Sequence, residues 1–348
     1  RFRVSKNRTI ELANVVVNIG DKGLVENLKD RVLPGIKDQS IKGRGEVHEY
    51  RFLGVKVGQI TENQVPVLFG RLVKIMTIEA EQELDESGDE LINSSKQIPS
   101  APSSFFVINL VDHRMAYLGE TRRSPGLRDF ESCIRRLLDK DWKQRIGEHL
   151  QALLAAENRE RTPRGKTEEY YRRVLAEVPQ PTVRVTPLPA LSEIDKKLEA
   201  FAKLEAISVK PMKTNNEMPD ENAEFLRKYK EQQVKLGSTS SKFEMKNGKD
   251  GLQKEEAQKL IKAASDGNFQ VTMKGSARNG NQISGDLDEL SIKLKEQIPD
   301  QESDADRASR LLNKMKEAFQ AGYVIAGATA NELLERAKAI VQSINGGE

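Results

Sequence analysis

The chain has 348 residues, of which 37% are apolar and 31% are charged, enough for two globular domains with a very polar surface. A single cysteine, Cys133, excludes an internal disulfide and a cysteine-based zinc site. No run approaches the roughly 20 apolar residues that a transmembrane helix needs, so we expect a cytoplasmic protein in a reducing compartment.

Charged residues are unevenly distributed, although the formal net charge is only +3. Residues 79–90 contain seven acidic residues and no basic one, whereas residues 114–173 contain 15 basic and ten acidic residues. Because local cation placement governs polyanion binding more than total charge does, this asymmetry permits a nucleic-acid-binding face.

Residues 1–158 are predicted to form a strand-rich α+β domain. Apolar and β-branched runs indicate strands at 9–19, 46–60, 65–78, 105–111 and 115–118. A short helix is predicted at 21–33 and a longer one at 142–157. The latter part of the acidic segment 79–104 contains prolines and is predicted to be a loop.

A cationic loop and helix follow the last strand pair of this region. Ser124 suits an N-cap and Pro125 the first helical position, with Leu127, Phe130 and later apolar residues at helical spacing. Arginines off that apolar stripe form a phosphate-binding surface or, in the alternative interpretation, a solvated helix face. The candidate binding residues here are Arg122, Arg123, Arg128, Arg135 and Arg136.

Residues 159–190 are predicted to be a basic, proline-rich linker. Its cations are interleaved with Tyr170 and Tyr171, which suits phosphate contact combined with stacking on bases or sugars. The alternative is a solvated linker followed by a half-buried helix. The candidate binding residues here are Arg161, Arg164, Lys166, Arg172 and Arg173.

The remainder is predicted to contain a second, smaller α+β domain at 191–300 and a C-terminal helical hairpin at 301–348. The hairpin helices have apolar faces that include Leu333, Leu334 and Ile340. A hairpin alone would leave one side of these residues in water. They are therefore expected either to pack on their own domain or to build a homodimer.

Catalytic chemistry has few candidates in this sequence. The three histidines lack metal-binding spacing, and phosphate-loop, nucleophile-elbow and dinucleotide motifs are absent. Glu244 and Lys246 have the ExK spacing of one class of metal-dependent nuclease, with Asp220 as a conceivable second ligand. Such triplets also arise by chance in a chain this rich in charge. We therefore expect no catalytic residue, metal or cofactor, although enzymatic activity stays an open question.

Three segments resemble the RexA-like phage-exclusion proteins of lambdoid prophages and related bacterial proteins. They are VPVLFGRLVKI, then IPSAPSSFFVINLVDHRMAYLGE, then TRRSPGLRDFESCIRRLL, and the resemblance continues in LEAISVKPM and NFQVTMKGSA. It covers residues 45–138 and 200–295. The chain is longer than that pattern in its linker and its C-terminal helices.

The resemblance implies a cytoplasmic bacterial or prophage protein of antiviral defence that binds DNA with little sequence preference, as a homodimer. A partner defence protein or a phage component is a further candidate partner. The arginine-rich surface independently favours a non-enzymatic DNA-binding protein. The alternatives are a metal-dependent nuclease or toxin acting on nucleic acid, and a protein-interaction scaffold.

Overall fold

The computed structural model describes residues 5–43, 48–60, 64–84, 87, 90–212, 224–238, 240–299, 301–325 and 331–346. Its strands are β1 (Ser5–Ile19), β2 (Ser40–Lys42), β3 (Glu49–Ile60), β4 (Val65–Leu84), β5 (Leu91–Ser100), β6 (Ser103–Asn109), β7 (Arg114–Gly119), β8 (Pro181–Pro187), β9 (Lys203–Pro211), β10 (Phe243–Lys246), β11 (Phe269–Ser276), β12 (Gln282–Asp286) and β13 (Lys293–Pro299). Its helices are α1 (Leu24–Asn27), a π-helix (Leu28–Val32), α2 (Leu33–Ile36), α3 (Leu127–Ala156), α4 (Thr167–Glu177), α5 (Leu191–Ala200), α6 (Glu224–Lys235), α7 (Lys254–Ala263), a 3-10 helix (Leu287–Leu290), α8 (Asp304–Gln320) and α9 (Asn331–Asn345).

The strands form two antiparallel sheets, which confirms the predicted α+β class. In the larger sheet the order is β13-β1-β7-β6-β4-β3-β2, with β5 added to β4 and β8 added to β1. The smaller sheet has the order β10-β9-β11-β12 and packs against α5, α6 and α7 through its own apolar core. The second sheet is therefore inserted between β8 and β13, two strands of the first.

Both faces of the larger sheet are covered by helices. Alternation along β1 sends Ala13 and Val15 to a core under α3, α9 and the short helices, and Ile10 and Leu12 to a core under α8. We call these the α3 face and the α8 face. Near-continuous apolar runs in β1, β6 and β7 are explained by this two-sided burial.

The predicted loop in the latter part of 79–104 is wrong. Residues 91–100 form β5, which pairs antiparallel with the extension of β4, from Met76 opposite Ser100 to Leu84 opposite Leu91. Several apolar side chains of this ribbon are exposed, including Leu91 and Ile98. The alternation of a half-buried strand is therefore missing from the sequence.

The predicted linker 159–190 is also wrong over most of its length, because it contains α4 and β8. Strand β8 pairs with residues 13–19 of β1 and buries Val183 and Val185 on the α3 face. Its prolines stand at its two ends, where a missing N–H interrupts the ladder least. The domain boundaries predicted at 190 and 300 do not coincide with the limits of the sheets, since β8 and β13 belong to the larger one.

The C-terminal helices do not pack on each other as a hairpin. Helix α8 covers one face of the larger sheet, whereas α9 covers the other through buried Ala337 and Val341. Leu333, Leu334 and Ile340 are partly buried against the same core. Of the two arrangements expected for these side chains, the structure therefore shows packing on their own domain.

A buried polar joint connects the two sheets. The guanidinium of Arg114, on β7, donates to the carbonyl of Asp266 in the turn between α7 and β11. Asn14, on β1, donates from Nδ2 to the carbonyl of Gly267 at 3.3 Å. Gly267 has a φ of +86°, and a Cβ there would lie 2.8 Å from the Cβ of Asn14. Close approach of the turn to the sheet therefore depends on glycine.

Candidate nucleic-acid interface

Helix α3 begins two residues later than its sequence signals suggest. Gly126, not Ser124, is the N-cap, and its N–H donates to the Asp129 carboxylate at 2.9 Å. Pro125 lies before the helix, where its carbonyl accepts hydrogen bonds from the hydroxyls of Ser104 at 2.7 Å and Tyr117 at 2.8 Å. These contacts attach the loop to the strand pair, and so displace the start of the helix.

Arg122 and Arg123 lie on the exposed loop between β7 and α3. Arg123 has a φ of +61°, in the left-handed region that non-glycine residues seldom adopt. Among the described residues, neither side chain has an ion-pair or hydrogen-bond partner. Both are therefore available for an external anion.

The arginines of α3 lie off its buried stripe, as the helical spacing predicts. Leu127, Phe130 and the later apolar residues enter the core of the α3 face. Arg128 and Arg135 are exposed and Arg136 is half-buried. Arg135 pairs with Glu131 at 3.2 Å, a surface contact of the kind worth at most about 1 kcal/mol.

The second cationic group lies at the other end of α3. Arg161, Arg164 and Lys166 are exposed in the segment leading to α4, and within the described part of the chain none forms an ion pair. Arg172 pairs with Glu168 at 3.1 Å, and Arg173 with Glu157 at 2.9 Å.

The predicted stacking role of the two tyrosines holds for one of them at most. Tyr170 is buried, and its hydroxyl donates a hydrogen bond to the Glu157 carboxylate. The guanidinium carbon of Arg173 lies over the Tyr170 ring, 5.5 Å from the ring centroid. Tyr170 is therefore unavailable to a base. Tyr171 is exposed.

Three arginines of α3 line a cleft of about 580 Å³ together with Arg184 of β8. Arg184 is not among the predicted binding residues, because residues 159–190 are predicted to be a linker. The alternation of PTVRVTP, with both valines buried, is the signal that could have found it. Pairing of β8 with β1 brings this arginine to Arg128, Arg135 and Arg136, whereas the other predicted cations lie outside the cleft.

Cys133 lines the same cleft but is not a nucleophile at neutral pH. Burial, reinforced by the negative charge of Asp129, raises the pKa of its thiol to about 12. Burial likewise raises the pKa of the Tyr50 and Tyr117 hydroxyls.

Alkaline pH is expected to destabilise the fold. A thiol with a raised folded-state pKa contributes stability that is fully present below its unfolded pKa of about 9 and lost as pH rises to about 12. The loss from Cys133 alone should approach 1.4 kcal/mol per pH unit in this window. Urea titrations from pH 8 to 11 measure it, with Cys133→Ala as the variant that should show a shallower slope. An identical slope in the variant would contradict the assignment.

Two side chains of the ExK triplet are engaged within the smaller sheet. Glu244 pairs with Lys246 at 2.9 Å and accepts a hydrogen bond from the Ser208 hydroxyl at 3.1 Å on strand β9. These contacts lower the pKa of Glu244. Asp220 lies outside the described residues, and nowhere within them do three or more His, Cys, Asp or Glu side chains cluster as metal ligands would.

No protein-family model matches the chain, and no curated protein matches it. None of the helices in the described ranges is long and apolar enough to cross a membrane.

Proposed function

We propose that the protein binds duplex DNA through its phosphates, with little dependence on base sequence, and acts without catalysis. The observation that supports this most directly is the pair of cationic groups at the two ends of α3. Each contains exposed side chains that have no carboxylate partner within the described residues.

The spacing of the two groups suits an extended polyanion. At 1.5 Å per residue the 30 residues of α3 span about 45 Å, which is the length of about 13 base pairs at 3.4 Å per step. A small anionic ligand cannot reach both groups, whereas a duplex can. Arginine supplies a planar fork of donors that matches phosphate oxygens.

The biological setting is also part of the proposal. The resemblance to RexA-like phage-exclusion proteins supports a cytoplasmic role in bacterial anti-phage defence, with a further defence protein or a phage component as a possible partner. A homodimer would double the cationic surface and raise avidity. Its interface would have to lie elsewhere than on the α9 side chains that cover the sheet.

Charge reversal of the loop arginines is the test. Arg122→Glu with Arg123→Glu should weaken binding equally for unrelated duplex sequences, and should flatten the slope of log affinity against log salt by up to about 2. Fluorescence anisotropy between 50 and 200 mM salt measures both quantities.

A matched control carries the same change in net charge on the smaller sheet's helices. Lys196→Glu with Lys259→Glu alters two exposed lysines of α5 and α7 and should leave the salt slope unchanged. Equal effects of the two double variants would show that only total charge matters. An unaltered slope in the arginine variant would remove this loop from the interface.

A further inference from the structure

The arginine-lined cleft lies between separate parts of the chain. Its walls are the first turns of α3, strand β8, the 3-10 helix at Leu287–Leu290 and the start of β3, with Gly43 and His48 at one side. Its volume of about 580 Å³ falls within the range of small-molecule sites, about 300 to 1,000 Å³. A DNA duplex is too wide to enter it.

Two carboxylates of the cleft are already engaged within the protein. Asp129 accepts hydrogen bonds from the Tyr50 hydroxyl and the Gly126 N–H, both at 2.9 Å. Glu131 accepts from the Val185 N–H at 3.0 Å and pairs through its other oxygen with Arg135. These contacts hold α3 against β3 and β8, and they leave both carboxylates with little capacity for a ligand.

Three arginines and one carboxylate of the lining remain uncommitted. Arg128, Arg136 and Arg184 form neither an ion pair nor a side-chain hydrogen bond with any described residue. Asp288 also accepts no hydrogen bond from the described chain, and burial raises its pKa, although Arg184 and Arg128 act in the opposite direction. The cleft thus presents guanidinium donors together with one desolvated acceptor.

We propose that this cleft binds a mononucleotide, with its phosphate held by Arg128, Arg136 and Arg184 and a ribose or base donor bound by Asp288. Guanidinium groups favour phosphate oxygens. A carboxylate in the same cavity repels a bare phosphate, so its presence favours a ligand that also carries hydroxyl or amino donors. A mononucleotide has both parts.

This site goes beyond the DNA-binding surface and overlaps it only in part. Arg184 and Asp288 lie in the cleft, whereas Arg122 and Arg123 lie on the outer loop. Arg128 and Arg136 line the cleft and are also proposed to contact DNA. A nucleotide bound to them would therefore compete with DNA phosphates for these two side chains. Nucleotide binding should therefore weaken DNA binding without abolishing it.

The test is calorimetric titration of the full chain with adenosine monophosphate, adenosine and inorganic phosphate. Adenosine monophosphate should bind at least tenfold more tightly than either of the other two. Arg184→Gln should weaken it at least tenfold, and Arg128→Gln, an exposed position on α3, provides a second test if the first variant folds poorly. Asp288→Asn should weaken the nucleotide more than it weakens phosphate.

The variant with Arg122→Glu and Arg123→Glu is the control and should bind adenosine monophosphate like the parent. Absence of nucleotide binding at millimolar concentration, or binding unaffected by both arginine variants, would overturn the proposal. Equal affinity for phosphate and nucleotide would identify a simple anion site and overturn it as well. Loss of DNA binding in the control variant tests only the proposed function.

Discussion

A chain truncated after Pro299 should lose the fold of its larger sheet. Loss of a homodimer alone is not the expected result. Helix α8 contributes Leu311, Leu312 and Met315 to the core of the α8 face, and α9 contributes Val341 to the opposite core. At about 1.5 to 3 kcal/mol for each large side chain, the burial of these four alone contributes about 6 to 12 kcal/mol, which is comparable to the 5 to 15 kcal/mol stability of a typical domain.

Ion pairs between α8 and the sheet add to this effect. Asp304 pairs with Arg71 of β4 at 2.7 Å, and Arg307, almost fully buried, pairs with Glu120 just after β7. Deleting the helix leaves Glu120 without one of its two arginines. Because these ion pairs are partly buried, removing one partner costs more stability than the loss of a surface ion pair.

Circular dichroism and size-exclusion chromatography measure the outcome. The truncated chain should be aggregated or lack a cooperative thermal transition, whereas a chain ending at Gly346 should behave like the parent. A soluble truncated protein with a cooperative transition would contradict the packing described for α8 and α9.

Gly267→Ala should be among the most damaging single substitutions in the chain. Its φ of +86° costs a residue with a Cβ about 1 to 2 kcal/mol, and the added atom would lie 2.8 Å from the Cβ of Asn14 and 3.1 Å from Nη1 of Arg114. Overpacking of this kind adds about 1 to 3 kcal/mol. We expect the two effects together to lower the free energy of unfolding by about 2 to 5 kcal/mol.

Gly280→Ala is a matched control. Gly280 has a φ of +79°, similar to that of Gly267, but a Cβ there would meet nothing within 4 Å. The free energy of unfolding of this variant should fall by only about 1 to 2 kcal/mol, which is the cost of a left-handed backbone at a residue with a Cβ. Urea unfolding of both variants measures the difference between the two stability losses. That difference is the cost of overpacking the contact between the two sheets. Equal losses would show that the joint tolerates the extra methyl group.

Local patterns predicted the strands that make the centre of the larger sheet. Apolar runs at 9–19 and 105–111 correspond to β1 and β6, and helical spacing after Leu127 correctly separated the core side of α3 from its arginines. In these segments, side-chain pattern and tertiary burial agree.

Segments whose environment is supplied by distant residues were not predictable in this way. Strand β8 is proline-rich and exists because residues 13–19 pair with it, and β5 exposes its apolar side chains. The cleft has the same origin, since Arg184 and Asp288 reach α3 only through the return of the chain to β1. Local sequence patterns do not indicate which distant strands pair.

The insertion of the smaller sheet between β8 and β13 has a consequence for synthesis of the chain. Strand β1 is made first, yet its partners β8 and β13 follow much later, and about 180 residues separate the end of β7 from the end of β13. At about 5 to 20 residues per second, the ribosome takes roughly 10 to 35 s to reach the end of β13. Until β13 is made, the backbone edge of β1 at residues 5–11 is open to pairing with other chains, so we expect a nascent chain stalled before Lys293 to bind chaperones.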